Sequence, residues 1–224
     1  MALVMLIVFS VLFALTHILM SHGGIRAGLV ARLGDMPFRG LYSLVSLITL
    51  GGAIALFAGQ KGAGQVLWNT PEWLHPVVWI LVLFAFVLLV SSLATPSPTG
   101  MMPAKVEARG ILRVTRHPMN MAFALWGLGH LIANGKLGDV FFFGSIFVVG
   151  FFGAYHQDRR KARERGEEFK EFQKKTSILP FAAVITGKTK LELSELSVPL
   201  PAIALAAFII VLFLHNKLFG VTPW

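Results

Sequence analysis

The chain contains no cysteine. This absence excludes disulfide bonds, thiolate ligands for a metal ion, and covalent cofactor attachment through a Cys-x-x-Cys-His motif. Any bound cofactor must therefore be held by other side chains. Charge is also scarce, since charged residues make up 14% of the 224 residues while hydrophobic residues make up 55%. That balance is more apolar than the roughly 45–50% typical of soluble domains, and it predicts a protein that lies in a lipid bilayer.

Six long apolar runs follow one another, each near the ~17–25 residues that cross a bilayer as a helix. They cover residues 2–20, 41–60, 76–95, 118–133, 140–156 and 198–219. We expect an all-α polytopic membrane bundle of about six transmembrane helices, forming one domain over residues 1–224. The first run lacks a preceding basic residue and a following cleavage site, which favours a retained span over a signal peptide. The helix that begins at Pro118 should continue to about Leu137.

Basic residues give the chain a net charge of +9, and they lie in the loops between the runs. Seventeen of the 20 Lys and Arg residues fall in segments 21–40, 96–117 and 157–197, and ten of these lie in the last segment. Because basic loops are retained in the cytoplasm, we predict that both termini lie outside it. Residues 157–197 would then form a basic cytoplasmic segment. Membrane topology explains this charge without a nucleic-acid partner.

Two polar segments between the runs have patterns of their own. The sequence DRRKARERGEEFKEFQKK is typical of a solvated charged helix, broken near Gly166, with Phe169 and Phe172 on one side. The linker before Pro118 is punctuated by prolines and is expected to hold one short interfacial helix from Lys105 to Thr115.

Four of the seven histidines lie inside apolar runs; His156 and His215 are near span ends, and His17 and His130 are the intramembrane candidates. Ionisable groups within a membrane are costly and are functional candidates by default. Counted from the expected basic ends of their helices, the two residues differ in depth by only about 5 Å. Two neutral imidazoles at comparable depth on separate helices are suited to clamp a haem iron from both faces. The alternative is that each is hydrogen-bonded to a neighbouring helix.

Other residues could complete such a site. Gly127 lies one turn from His130, where a missing side chain would leave a flat shelf for a planar ligand. His215, near the end of the last run, is a rival second ligand, or else an interfacial cap of its helix. Arg26, Arg113 and Arg116 are candidates to pair with haem propionates, on the grounds of their charge and depth.

Five separated segments carry a family resemblance. In chain order they are HILMSHGGIRAGLVARLGDMPFRGLYSLVSL, TRHPMNMAFALWGLGHLIANG, HQDRRKARERG, KKTSILPFAAVITGK and LHNKLFGVTPW. Over nearly its whole length the chain resembles the NnrU family of bacterial membrane proteins. The same order of motifs resembles the plant 15-cis-zeta-carotene isomerases.

The resemblance implies a protein of the bacterial inner membrane that binds haem b through His17 and His130, which would then be its catalytic residues. It implies redox-gated cis–trans isomerisation of a polyene, with no net oxidation, served by an electron donor. For the bacterial branch it also implies a link to denitrification, with nitric oxide as the ligand. The plant enzymes have a cysteine where this chain has Gly127, so ligand exchange through sulfur is excluded here.

Two other classes of function stay open. The segments RHPMNMAF, GEEFKEF and ILPF also resemble membrane methyltransferases of the isoprenylcysteine carboxyl methyltransferase type. That resemblance implies S-adenosylmethionine held by Arg116, His117, Glu167 and Glu168. Those enzymes have a tyrosine and a glycine where this chain has Asn120 and Ala122. The third class is a non-catalytic haem protein that senses redox state or nitric oxide.

Overall fold

The computed structural model describes residues 1–99 and 106–223. In these ranges the chain is helical, with one isolated antiparallel bridge between Val66 and Lys136. The six long helices are α1 (Ala2–Ser21), α3 (Asp35–Gly59), α4 (His75–Ala94), α6 (Pro118–Ala133), α7 (Leu137–Lys175) and α9 (Pro199–Phe219). The shorter helices are α2 (Gly23–Leu33), α5 (Ile111–Val114) and α8 (Ala182–Ile185), with 3₁₀ turns at Glu72–Leu74 and Leu193–Glu195.

Five of these helices are long and apolar enough to cross a bilayer, namely α1, α3, α4, α7 and α9. The chain is therefore an all-α integral membrane bundle, as predicted. The sixth apolar helix, α6, has 16 residues and extends about 24 Å, somewhat less than the ~30 Å of hydrocarbon. It ends at Ala133 because Asn134 leaves the helical conformation and its backbone and side-chain N–H groups both donate to the carbonyl of His130. The expected continuation to Leu137 is wrong.

The bundle has two chemically different ends. At one end, which we call the terminal end, both chain termini meet the loops before α4 and α7: Leu3 lies near Gly64, and Lys61 donates to the carbonyl of Phe219. The opposite end, which we call the basic end, holds α2 and the segment after residue 156. There the hydroxyl of Ser21 lies 3.1 Å from Nδ1 of His156.

Helix α6 lies at the centre and packs against both α4 and α7, while α1 packs against α3 and α7, and α9 packs against α4. Glycines bring α6 and α7 together. A Cβ on Gly150 would lie 2.7 Å from the backbone nitrogen of Ala124. Close approach through small residues is how membrane helices gain packing energy without a hydrophobic driving force between them.

Helix α7 is interrupted at Gly166, whose φ of 61° and ψ of −135° lie outside the helical region. The predicted break there is confirmed, and glycine tolerates this conformation at little cost. The following turns are not fully solvated, because Phe169 and Phe172 are buried against Leu112 and Val114 at the basic end. In the linker before Pro118, the described residues 106–110 are not helical and α5 begins at Ile111, later than expected; Lys105, the predicted helix start, lies outside the described residues.

Candidate functional site

A cavity of about 1960 Å³ runs through the bundle and is partly open to its surroundings. It exceeds the ~300–1,000 Å³ typical of small-molecule sites, so it has room for more than one ligand. All six long helices contribute to its wall, and most of the wall is apolar. Aliphatic side chains of its middle part include Leu47, Leu50 and Ile54 of α3, Val82 of α4, Ile146 of α7 and Leu212 of α9.

His130 of α6 lines this cavity between two aromatic rings. Its ring centroid lies 4.2 Å from that of Trp126 and 4.7 Å from that of Phe143. Nδ1 lies 2.8 Å from the carbonyl oxygen of Trp126. Because a carbonyl can only accept, Nδ1 carries the proton, and in the neutral ring Nε2 keeps its lone pair. Within residues 1–99 and 106–223 no protein group hydrogen-bonds this Nε2, so it is available to a ligand.

His17 of α1 lines the same cavity in a more polar setting. Its Nδ1 lies 3.2 Å from the hydroxyl oxygen of Ser46, and its ring centroid lies 4.8 Å from that of Tyr42. Ser46 and Tyr42 are one turn apart on α3, so they face the same side of that helix. The hydroxyl can donate or accept, so this contact leaves the tautomer of His17 open.

The contacts of α3 give the relative depth of the two histidines. At one level, Phe143 stacks on His130 and also makes an edge contact with Phe57 of α3, at 5.3 Å between centroids. At another level, Ser46 of α3 contacts His17. Phe57 and Ser46 are eleven residues apart, which corresponds to about 16 Å along a helix.

The packing of α1 on α7 supports the same conclusion. A Cβ on Gly138 of α7 would lie 3.3 Å from Leu6 of α1, which aligns the two helices at that level. Both helices run from the terminal end towards the basic end. Phe143 lies about 7 Å beyond Gly138 along α7, and His17 lies about 16 Å beyond Leu6 along α1. The contacts of α3 and the packing of α1 on α7 together place His17 on the order of 10 Å nearer the basic end than His130. This separation is larger than the 5 Å expected from the loop boundaries. Both histidines line the same cavity, and their binding of one haem stays a prediction.

His215 of α9 lines the cavity near the terminal end. Its Nδ1 lies 2.7 Å from the carbonyl oxygen of Val221, so this nitrogen also carries the proton. Its ring packs against Phe219, with 4.9 Å between centroids. Among the described residues, no group hydrogen-bonds the Nε2 of His215.

Gly127, the expected ligand shelf, is not among the residues that line the cavity. A Cβ at this position would lie 2.9 Å from the carbonyl oxygen of Phe143 and 2.8 Å from the backbone nitrogen of Phe147. Gly127 therefore serves the contact between α6 and α7, and we assign it no contact with a ligand.

Of the three arginines predicted to bind propionates, only Arg26 lines the cavity. It pairs with Asp35 at 3.0 Å and lies at the basic end. Arg116 is buried and makes two hydrogen bonds, at 2.6 and 2.9 Å, to the carboxylate of Asp158. Its guanidinium is engaged by Asp158, and Arg116 is not among the residues that line the cavity.

Arg113 is likewise occupied, by Glu195, at 2.7 and 2.9 Å. The guanidinium, together with the backbone N–H of Gly110, holds the pKa of Glu195 at about 2, and the carboxylate in turn raises the pKa of Arg113. This pair ties α5 to the segment before α9 outside the membrane-spanning part, and Arg113 is not among the residues that line the cavity.

Of the four residues suggested for S-adenosylmethionine, Arg116 and His117 lie together at the basic end. His117 is buried, with ring nitrogens 3.2 Å from Gln157 and 2.9 Å from Asp158, and Arg116 is bound to the same aspartate. Glu167 is exposed and pairs with Lys170, and Glu168 is exposed as well. None of these four residues lines the central cavity.

The sequence patterns did not identify several of the residues that line the cavity. Tyr42 and Ser46 were detectable as a polar pair at i, i+4 in an apolar helix, but Trp126 and Phe143 look like ordinary apolar residues of their helices. Lys61 and Lys136, two of the three basic residues outside the basic loops, line the cavity at the terminal end. Chemically, the site combines neutral imidazole nitrogens, a large apolar chamber and cationic groups at each end.

These features define a polytopic helical membrane protein with a histidine-lined central cavity. The chain belongs to the NnrU family, because the family model described as NnrU protein matches residues 5–223.

Two plant proteins are similar to this chain. One is 15-cis-zeta-carotene isomerase, chloroplastic, from Arabidopsis thaliana, 29% identical over 182 residues, which cover 78% of this chain and 50% of the relative. The other has the same name, comes from Zea mays and is 28% identical over 193 residues, covering 84% of this chain and 52% of the relative. The chain thus spans about half the length of these relatives. No solved structure matches it significantly.

Proposed function

We propose that this protein is a haem b-dependent membrane isomerase that converts a cis double bond of a polyene, such as the central bond of 15-cis-zeta-carotene, to the trans form. The observation that carries the proposal is that His130 lines a large, mostly apolar cavity and that its Nε2 has no hydrogen-bond partner among the described residues. The names of the plant relatives supply the substrate class.

The donor set fits a haem better than a bare metal ion. Among the described residues, no group of three or more His, Asp or Glu side chains could hold a metal ion. A porphyrin supplies four nitrogens of its own, so the protein needs to add only one or two imidazoles. The proton on Nδ1 of His130 is fixed by the carbonyl of Trp126, an arrangement that commonly orients a ligating histidine. When bound, haem would supply a redox-active iron whose state an electron donor would set.

The remaining chemistry falls to the chain's own side chains. Leu47, Leu50 and Ile54 offer an aliphatic wall on which a polyene can lie, and they exclude water from it. Trp126 and Phe143 hold the ring of His130 from two sides and limit its rotation. Isomerisation moves no atoms on or off the substrate, so the site needs no general acid or base. The volume of the cavity favours a long polyene over nitric oxide as the ligand.

The proposal is tested with detergent-purified protein, scored for a haem Soret band and, after reduction, for conversion of 15-cis-zeta-carotene followed by chromatography. Wild type should show both. His130→Ala should insert into the membrane but lose haem and activity. His22→Ala is the matched control, because His22 packs against His156 at the basic end and does not line the cavity. Full haem content in His130→Ala would overturn the assignment, and haem without conversion would favour a sensor.

A further inference from the structure

We infer that the basic end of the cavity is a binding site for the phosphate group of an anionic phospholipid. Four cationic side chains line the cavity at this end, and they come from two separate parts of the chain: Arg26 and Arg39, Arg160 and Lys161. The first two lie in α2 and in the first turns of α3, and the other two lie in α7, beyond its apolar part. The inference goes beyond the proposed function and does not depend on it.

The four cations form one electrostatic cluster, which we call the cation cluster. The positive charges of Arg26 and Arg39 both act on Arg160, although the three residues belong to three different helices. The hydroxyl of Tyr42 also lies within electrostatic range of Arg160. Because like charges repel one another, helices that bring these groups together at a cavity mouth favour the binding of an anion between them.

Two carboxylates neutralise the cation cluster only in part. Asp35 bridges Arg26 and Arg39, at 3.0 and 2.7 Å. On α7, Glu164 bridges the other two cations in the same way, at 3.5 and 3.0 Å. Four cations therefore share two carboxylates, which leaves two positive charges in excess. A phosphate group bound between the two pairs would reduce that excess.

Arg160 retains hydrogen-bonding capacity within the cation cluster. Its Nε is buried and makes no hydrogen bond within residues 1–99 and 106–223, and its distance to the carboxylate of Glu164 is 3.5 Å. The guanidinium of Arg116, at the same end of the bundle, instead makes hydrogen bonds of 2.6 and 2.9 Å to Asp158. A guanidinium offers donors in a planar fork that matches the oxygens of a phosphate. Arg160 is therefore the cation best suited to bind the headgroup.

The surroundings of the cation cluster suit an amphiphile better than a free anion. Tyr42, one turn inside Arg39, lines the cavity, and tyrosines are enriched where headgroups meet hydrocarbon. Leu47 lies about 12 Å deeper than Arg39; it lines the cavity and is 71% exposed, so the cavity is open to the bilayer at that level. A ligand here meets cations first and hydrocarbon next. Basic pockets between helices on the cytoplasmic side are typical sites for anionic phospholipids.

The experiment is native mass spectrometry of the purified full chain, titrated with phosphatidylglycerol or with zwitterionic phosphatidylcholine. Wild type should bind a single phosphatidylglycerol in preference to phosphatidylcholine. Arg160→Gln and Arg39→Gln should each weaken that binding about fivefold, the factor expected for one basic residue beside an anionic lipid. Arg39 is 65% exposed, so its replacement leaves the packing of the bundle intact.

Arg159→Gln is the matched control. Arg159 is the neighbour of Arg160 in α7, but its guanidinium lies over the ring of Tyr155, 4.4 Å from the centroid, and it does not line the cavity. The variant removes the same charge at the same level of the helix, and its affinity for phosphatidylglycerol should equal that of wild type. Equal weakening in Arg159→Gln and Arg160→Gln would reduce the effect to net charge and overturn the site.

Three further outcomes would overturn the inference. Equal affinity of wild type for the two lipids would show that the headgroup charge is not recognised. Displacement of phosphatidylglycerol by an equal concentration of inorganic phosphate would show a site for a free anion. Loss of the Soret band in Arg160→Gln with unchanged lipid binding would assign the cation cluster to the carboxylates of haem. Failure of wild type to isomerise 15-cis-zeta-carotene would overturn the proposed function alone, because lipid binding is measured without that substrate.

Discussion

A Cβ atom placed on Gly127 of α6 would lie 2.8 Å from the backbone nitrogen of Phe147 in α7. Backbone cannot yield as a flexible side chain can, so Gly127→Ala should force the two helices apart. We expect a loss of about 1–3 kcal/mol in stability, as for other overpacked sites, measured as a lower thermal midpoint in detergent. Gly51→Ala is the control, because nothing lies within 4 Å of that position in α3. Equal midpoints for the two variants would contradict the contact.

Asp158 concentrates the polar contacts of the basic end. Its carboxylate accepts hydrogen bonds from Arg116, from His117 at 2.9 Å and from Gln173 at 2.7 Å. Asp158→Asn would leave the buried guanidinium of Arg116 without a counter-charge, which typically costs about 3–5 kcal/mol. Denaturant titration should show that loss. Glu164→Gln, at a more exposed ion pair, should cost no more than about 1 kcal/mol. A small effect at Asp158 would mean that water replaces the carboxylate.

The helices could be predicted because the bilayer fixes the length and polarity of a span. The break at Gly166 was predictable as well, because glycine in a charged helix is a local signal. The end of α6 was not, because it depends on one side chain, that of Asn134, folding back on the carbonyl of His130. The burial of Phe169 and Phe172 depends on tertiary contacts with α5, which no pattern within their own helix contains.

The site was only partly predictable, for a related reason. Both His17 and His130 were identified as intramembrane histidines, and both line the cavity. Their relative depth depends on how the helices interlock, for example where Phe9 of α1 meets the backbone of Gly52 in α3. A depth obtained by counting residues from the loop boundaries does not include the shift of one helix along another that these contacts set. Such counting therefore could not give the depth of His17 relative to His130.

Acid should weaken the link between α5 and the segment before α9. Arg113 holds the pKa of Glu195 at about 2, below its ordinary value of 4.5. A carboxylate with a lowered folded-state pKa contributes stability above its unfolded pKa and loses it as the pH falls through the folded value. The thermal midpoint of wild type should therefore exceed that of Glu195→Gln near pH 6. The gap should close between about pH 4.5 and 2, and a constant gap would argue against the ion pair.

The cysteine-free sequence allows a direct test of orientation. The positive-inside rule predicts that the terminal end faces away from the cytoplasm and the basic end faces it. A membrane-impermeant maleimide should label Glu72→Cys in intact cells and label Lys188→Cys only after lysis. Both positions are exposed, so reagent access to the side chain is equal once the membrane is open. The reverse pattern of labelling would invert the predicted topology.

Leu50 and Leu44 of α3 distinguish the cavity from the outer surface of the same helix. Leu50 lines the cavity, whereas Leu44 is 54% exposed and is not part of the cavity wall. Leu50→Trp would fill space between the level of His130 and the level of His17, where we place the polyene. Isomerisation of 15-cis-zeta-carotene should fall by roughly tenfold or more, since pockets discriminate strongly by volume, while the haem spectrum stays unchanged. Leu44→Trp should leave both readouts at wild-type values. If the two variants isomerise equally fast, the substrate must lie elsewhere, even if the haem occupies the cavity.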